Sequence, residues 1–540
     1  MSYTPKLVGR IVGEASPTNF LFVSDKNSHP PKYEYVMVRS KEDVGGSTRG
    51  VNVLAQVMGV ISRSSSYDGN LSLEALERIY RAGIEDVNII CKARTLGYIA
   101  NVDGRKQILM PRRAIYPGNP VYLAPDSMVQ EFFSYPEEEG LHIGYLISRN
   151  TVPVYVSVNG LRRHLAILAQ TGAGKSYTVG VLIEELLKKG ATIIVIDPHA
   201  DYVRLSRRLD GTPHEFSSRV KIFRNPDSTG RYSKDQLDNV IDYTVRFSDL
   251  SVDELCGIIG VSENWSVIRQ SIENALKKLK EEKGEGYTAR DLLDKMKELA
   301  ERATKANERG EMVRALRYIK RILRFKVFGD TSTSIEEMLE PVQLSVVDLS
   351  GLNDASMDYI ASRVLNDVYR YVSEGAFQYP VFVVIEEAHR FVPPKGRKSV
   401  SLSREIINTI AAEGRKFGVF LILVSQRPAK IDPDTLSQCN SQIILRITNP
   451  SDQEAVIKSS ERISESLLED LPGLNVGEAV IVGEITRIPV MVKIRERMTM
   501  EGGADINVVD KLRKAKETLD MERKLKEETV IPDTATLSEV

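Results

Sequence analysis

Two short stretches hold the residues whose types and spacing point to chemistry. The first, 165–178, reads Leu-Ala-Ile-Leu-Ala-Gln-Thr-Gly-Ala-Gly-Lys-Ser-Tyr-Thr. Its four leading apolar residues predict a short buried strand, and the small-residue loop 169–174 follows. From Lys175 the apolar positions change to helical spacing, at Val179, Leu182, Ile183, Leu186 and Leu187, up to Gly190. Strand, glycine loop and helix N-terminus in that order build a phosphate cradle. Gly172 and Gly174 let backbone N–H groups converge on an anion, and the helix dipole adds to the attraction. Lys175 would reach the β- and γ-phosphates of ATP and the Ser176 hydroxyl would hold Mg²⁺, with Gln170, Thr171, Ala173 and Tyr177 in the loop around the nucleotide. Ala169 stands where the usual pattern has glycine, which relaxes the fit but removes no ligand.

The second stretch is the apolar run Val-Phe-Val-Val-Ile at Val381–Ile385 followed by Glu386 and Glu387. At that place a phosphate-loop enzyme needs one carboxylate for the Mg²⁺ shell, here Glu386, and another to polarise the attacking water, here Glu387. Many relatives of this fold carry Asp at the first of these positions. Two acids also suit a helix N-terminus, but their place at the end of a buried strand, in a chain with a phosphate loop, favours chemistry. A further apolar run, 419–424, ends in Ser425-Gln426-Arg427-Pro428, which sets Gln426 to sense the γ-phosphate and orient water.

Arg415, at the end of a helix expected over 403–414, either complements that helix's C-terminus or enters a neighbouring subunit's site as an arginine finger, an effect of roughly 10³–10⁵ in turnover. Arg446, closing a strand expected over 442–447, is the second candidate, and the sequence does not separate the two. The loop 390–404 carries Lys395, Arg397 and Lys398 with two prolines; it reads either as a sequence-independent grip on a phosphate backbone or as a solvated surface loop.

The elements that must position these residues fall into five segments. Residues 1–135 read as short strands at 7–13, 19–23, 34–39, 51–62, 88–96 and 120–123, with a helix at 73–82; regular turns between them predict a small β-barrel. Residues 136–232 and 341–497 alternate strand and helix, the pattern of a parallel α/β sheet. Between them, 233–340 reads as a charged helical insertion. Within it 311–326 forms a basic amphipathic helix, with Val313, Leu316, Ile319 and Leu323 on one face and Arg314, Arg317, Lys320, Arg321 and Arg324 on the other. Such a helix contacts nucleic acid or a partner, or is a solvated face, and the nearby acids Glu308 and Glu311 favour the solvated face. Residues 498–540 hold a charged helix, 508–528, and a tail.

Composition narrows the function classes. Across 540 residues, Lys and Arg number 73 against 74 Asp and Glu, so the chain is no basic nucleic-acid coat and any such contact is local. Cys91, Cys256 and Cys439 are too few and too scattered for a disulfide framework or a zinc cluster. No apolar run has the length of a membrane span, and the opening Met-Ser-Tyr-Thr lacks a signal-peptide core, so a soluble, cytoplasmic protein without membrane contact is expected.

Six runs together resemble the HerA family of archaeal and bacterial DNA-translocating ATPases, in the HerA/FtsK group. They are Ala-Gln-Thr-Gly-Ala-Gly-Lys-Ser (169–176), Ile-Asp-Pro-His-Ala-Asp-Tyr (196–202), Val-Ile-Glu-Glu-Ala-His (384–389), Glu-Gly-Arg-Lys-Phe-Gly (413–418), Ser-Gln-Arg-Pro (425–428) and Leu-Arg-Ile-Thr-Asn-Pro-Ser-Asp (445–452). The resemblance implies a RecA-like P-loop ATPase core with a barrel of the type these proteins carry at the N-terminus. It further implies a homohexameric ring that threads double-stranded DNA, and a NurA-type nuclease docked on the barrel side, the pair resecting DNA ends in recombinational repair. On that likeness Lys175 and Ser176 handle phosphate and Mg²⁺, Glu387 the water, Gln426 the sensing and Arg415 the neighbouring site. The competing expectations are a ring ATPase that moves protein and a nucleotide-gated clamp; Glu387 argues against the clamp, which has no need of a water-polarising acid.

Overall fold

The computed structural model describes residues 5–67, 69–84, 86–102, 104–262, 264–304, 306–396, 401–460, 465–503 and 507–528. The N-terminal strands close on themselves as expected. Leu7–Ala15, Asn19–Ser24, Asn88–Val102, Ser47–Arg63, Tyr35–Val44 and Pro120–Leu123 pair in a six-stranded antiparallel ring, closed where Asn19–Ser24 meets both Leu7–Ala15 and Asn88–Val102. Alternation decides what fills it: Phe20 and Phe22 point in from one strand, Val36 and Val38 from another, and Val53, Val57, Cys91 and Val121 complete the core. Arg105–Leu109, a strand the sequence reading omits, pairs with the end of Asn88–Val102 as a hairpin. The helix Leu73–Arg81 lies outside the barrel with no buried residue.

The rest of the chain is built on one twelve-stranded sheet. Eight strands run parallel in the spatial order Val240–Asp242, Val220–Arg224, Leu344–Asp348, Thr192–Asp197, Val381–Ile385, Val419–Ser425, Leu165–Leu168 and Ser441–Ile444. Four antiparallel strands continue it: Glu478–Gly483, Val490–Ile494, Gly140–Leu146 and Arg149–Ser157. The central strands are buried along their whole length and read as unbroken apolar runs, because helices cover both faces. Helix Asp354–Ser373 buries the expected face, Met357, Ile360, Ala361, Val364, Leu365, Val368 and Val372, under an Asn353 cap.

Four expectations change. The helix ending in Arg415 runs on to Phe417, so Arg415 sits inside its last turn. The strand before Arg446 stops at Ile444, so Arg446 lies two residues beyond it and does not close it. The helix expected over 311–326 is Ala306–Ile319 followed by a 3₁₀ turn, Lys320–Arg324. The buried positions, Ala315, Ile319 and Ile322, keep helical spacing but lie on a face rotated from the expected one, and Val313 and Leu323 are half exposed. The segment 233–340 is also not purely helical: Val240–Asp242 joins the main sheet, and Val245–Arg246 pairs with Phe328–Gly329. The terminal helix Val508–Glu528 forms as expected, and its described side chains are exposed.

Two buried polar clusters fix the sheet around the phosphate loop. Behind the helix Lys175–Lys188, Arg495 spans Glu184 (3.0 Å) and Glu185 (2.8 Å), while the other Glu184 oxygen accepts the Met498 and Thr499 amides at 2.9 Å. The Arg497 side chain lies against Gly180, where a Cβ would fall 2.5 Å from the guanidinium carbon and push it off its bonds to the Thr499 hydroxyl and the Met500 carbonyl. In front of the strand Leu165–Leu168, His164 accepts the Leu421 amide on Nδ1 (2.9 Å) and its Nε2 lies 3.1 Å from the Ala411 carbonyl. One neutral imidazole with a donor and an acceptor thus joins three elements.

Burial pushes the His164 ring down to about 4, and the Arg415 cation adds to that, against the bond to Ala411. A depressed histidine leaves stability intact above its ordinary value and loses it as pH falls from there toward the folded value, here by up to about 3 kcal/mol. Thermal unfolding at about pH 7.5 and about pH 4.5 should show a drop in midpoint for the wild type and a smaller drop for His164→Asn. An equal drop would show that other groups carry the acid sensitivity.

Candidate active site

Parallel strands in register end at one edge, and the loops leaving that edge hold the candidate residues. Leu168 pairs with Ser425 on one side and Ile444 on the other, and Ile385 pairs with Leu423 and Ile196. The tips of these strands therefore meet, although one strand separates the phosphate loop from the acids. The loop turns through left-handed backbone at Gly172 (φ +75°) and Gly174 (φ +99°), the conformation glycine reaches without steric cost. Helix Lys175–Lys188 starts immediately after it. Gln170 anchors the loop from outside: its amide donates to the Arg446 carbonyl (2.9 Å), and its side-chain oxygen accepts the Thr448 hydroxyl (2.7 Å).

The Lys175 ammonium is buried and held between two carboxylates, in direct contact with Glu386 Oε1 and 3.3 Å from Glu387 Oε1. Glu386 has no exposed surface, and the Tyr202 hydroxyl donates to its other oxygen at 2.9 Å. Glu387 adopts left-handed backbone (φ +50°), a conformation uncommon outside glycine and retained where the surroundings enforce it. The Gln426 amide donates to Glu387 Oε1 at 2.7 Å and accepts from the Thr171 hydroxyl, tying the acid to the tip of the phosphate loop. On its far side, Glu387 Oε2 lies 3.2 Å from His389 Nδ1, which is also 3.2 Å from the Ser425 hydroxyl. Burial pushes the Glu387 carboxyl up, but His389 and Lys175 outweigh it and bring it down to about 2. It is a carboxylate throughout the physiological range.

The Ser176 hydroxyl donates to Asp201 Oδ2 at 2.9 Å. Asp201 is held by a tight turn in which Asp197 accepts the amides of His199 (3.2 Å), Asp201 (3.1 Å) and Tyr202 (2.9 Å). Burial, with the neighbouring Asp201 and Asp348 carboxylates, pushes Asp197 upward. Above these groups opens a cavity of about 790 Å³. Gln170, Thr171, Gly172, Gly174, Lys175, Ser176, Tyr177, Glu387 and Gln426 form one wall, His199 and Asp201 another, and Gly477, Lys493, Glu496 and Glu501 a third.

The geometry thus gathers Lys175, Ser176, Glu387 and Gln426 at one cavity. Glu386 stands behind Lys175, off the cavity wall, and Ala173 is buried with its carbonyl accepting the Gly477 amide at 3.1 Å. Arg415 is exposed on its helix, and Arg446 is half-buried; neither lines the cavity of its own chain. Lys395 is exposed in a turn, while Arg397 and Lys398 lie outside the described residues. The sequence reading gave no role to Asp201, Tyr202 or His389, though each stands in one of the six runs. It had no signal for Lys493, Glu496 or Glu501, which reach the cavity only through the antiparallel return of the chain. The described residues contain no group of three or more His, Cys, Asp or Glu arranged to hold a metal, and no helix among them is long and apolar enough to cross a membrane.

Comparison with known proteins identifies the family. Residues 141–368 match the family described as helicase HerA, central domain. The DNA double-strand break repair helicase HerA of Pyrococcus furiosus is 32% identical over 95% of this chain and 98% of its own. The protein of the same name from Sulfurisphaera tokodaii is 29% identical over 95% of this chain and 98% of its own. Among solved structures, the plasmid coupling protein TrwB in complex with a non-hydrolysable ATP analogue aligns with 71% of this chain and 95% of its own, at a TM-score of 0.48 and 14% identity. The chain belongs to the HerA helicase family and is a P-loop ATPase.

Proposed function

We propose that the protein is an ATP-driven translocase of double-stranded DNA, working as a homohexameric ring with a NurA-type nuclease in the resection of DNA ends. The observation that carries this reading is the chain of contacts from Thr171 through Gln426 and Glu387 to Lys175, built at the mouth of the phosphate-loop helix. Full-length relatives named as DNA double-strand break repair helicases support the choice of DNA as the track.

Within the site, Lys175 serves the β- and γ-phosphates of ATP and Glu387 accepts the proton of the attacking water. The two roles are coupled through charge. While Lys175 rests on Glu386 and Glu387, its cation holds the Glu387 carboxylate weakly basic. Moving that ammonium onto substrate phosphate removes one of the charges that lower Glu387, and its basicity rises where a base is wanted. Gln426 reports the change to Thr171 because its amide is committed at both ends. Ser176 and Asp201 present hard oxygen donors of the kind Mg²⁺ takes, with Glu386 behind them. Phosphate and water would fill the remaining positions, and the ion would neutralise charge on the β- and γ-phosphates. Arg415, outside its own cavity, acts on the site of the adjacent subunit.

Lys175→Ala should lose ATP binding, whereas Glu387→Gln should keep ATP and slow its cleavage by about 10²–10⁴. Equilibrium nucleotide binding and single-turnover hydrolysis separate the two, and loss of binding in Glu387→Gln would make that acid structural. Arg415→Ala subunits mixed with wild type should depress hydrolysis beyond their share of the mixture; linear dilution would reject action across an interface. Linear duplex DNA should stimulate hydrolysis, with the stimulation lost at high salt. Indifference to DNA would instead favour a protein-moving ring or a nucleotide-gated clamp.

A further inference from the structure

The helical insertion carries a second cavity, of about 650 Å³, that shares no lining residue with the ATP cavity. It opens between the start of helix Ser266–Lys283 and the C-terminal half of helix Ala306–Ile319 with the 3₁₀ turn after it. Trp265, the chain's only tryptophan, stands at its edge with 41% of its surface exposed. The indole meets Tyr318 edge-on, with ring centroids 5.3 Å apart at 68°. The tyrosine face is already taken by Arg321, whose guanidinium lies 4.6 Å above the ring while donating to the Ile259 carbonyl at 3.0 Å.

Two further arginines reach the same space. Arg314 is exposed and, among the described residues, pairs with Glu311 on its own helix at 2.9 Å. Arg317 is exposed and makes no hydrogen bond or ion pair among the described residues. Three guanidinium groups against the single carboxylate of Glu311 give the wall a net positive charge. A partly exposed indole beside one uncommitted guanidinium and one held only by an exposed ion pair, in a cavity within the size range of ligand sites, is the chemistry that receives a nucleotide: the base stacks and the phosphate pairs.

We propose that this cavity binds an unpaired nucleotide of single-stranded DNA, the base stacked on Trp265 and the phosphate held by Arg317 and Arg314. Bases inside a duplex have both faces covered by their neighbours, so the site discriminates for frayed or displaced strand. An acidic peptide would satisfy the arginines but leave the indole face without a partner. The inference stands apart from the reading of the ATP cavity, since duplex-stimulated hydrolysis and strand binding in the insertion can each fail alone.

Trp265 is its own reporter. Titration of the full chain with an oligodeoxythymidylate of about fifteen nucleotides should quench the tryptophan emission saturably. Arg317→Ala, at an exposed position and with an unchanged melting midpoint, should weaken that quenching at least about tenfold. With labelled oligonucleotide and anisotropy as the readout, Trp265→Phe should bind more tightly than Trp265→Ala, because a ring remains to stack on. The proposal fails if the oligonucleotide does not bind, or binds without changing the emission. It fails equally if Arg317→Ala binds like the wild type, or if blunt duplex, free ATP or polyglutamate quenches as well as the single strand does.

Discussion

An ammonium group taken out of water and set between two carboxylates is the interaction on which the ATP cavity depends. Lys175 lies buried against Glu386 and Glu387 at the end of a buried strand, so that each charge taken out of water there is set against an opposite one. Removing one member of such a set leaves an uncompensated buried charge, at a cost of about 3–5 kcal/mol. The same groups are the ones a phosphate would rearrange. The site is therefore held in its resting geometry by charges that its substrate is equipped to take over.

The sheet makes that meeting possible. Its strands are far apart in the chain, yet parallel register brings their C-terminal ends to a common edge, so that residues 175, 201, 387 and 426 become neighbours. His164 fixes the start of the phosphate-loop strand to the strand that leads into Gln426 and to the helix that carries Arg415. The Arg495–Glu184 pair fixes the back of the phosphate-loop helix. Neither group touches the cavity, and both set where its walls stand.

What the residues announced and what they withheld divide along the range of the interactions. The strand–loop–helix at 165–188 and the acids after Val381–Ile385 are local patterns, and the structure places them as their spacing requires. The barrel followed from alternation and turns, although its Arg105–Leu109 hairpin did not. Around Arg317 the covered face differs from the apolar stripe, because Ala315 and Ile322 pack inward while Val313 and Leu323 stay at the surface, and an apolar pattern alone does not say which of two overlapping faces is covered. Arg446 was set at a strand end that lies two residues earlier. The Ser176–Asp201 bond and the wall from Lys493 to Glu501 depend on tertiary register, which no single stretch encodes.

That last wall has a bearing on how the protein comes into being on the ribosome. Lys493, Glu496 and Glu501 follow Lys175 by more than three hundred positions, and the strand that carries the first of them pairs with Gly140–Leu146 and Glu478–Gly483. The barrel can close early in synthesis, because all its strands have emerged by Leu123. The nucleotide chamber cannot: until the late antiparallel strands dock, the growing polypeptide displays a glycine loop with one side open to solvent, and full enclosure of ATP waits on translation of the far end of the core.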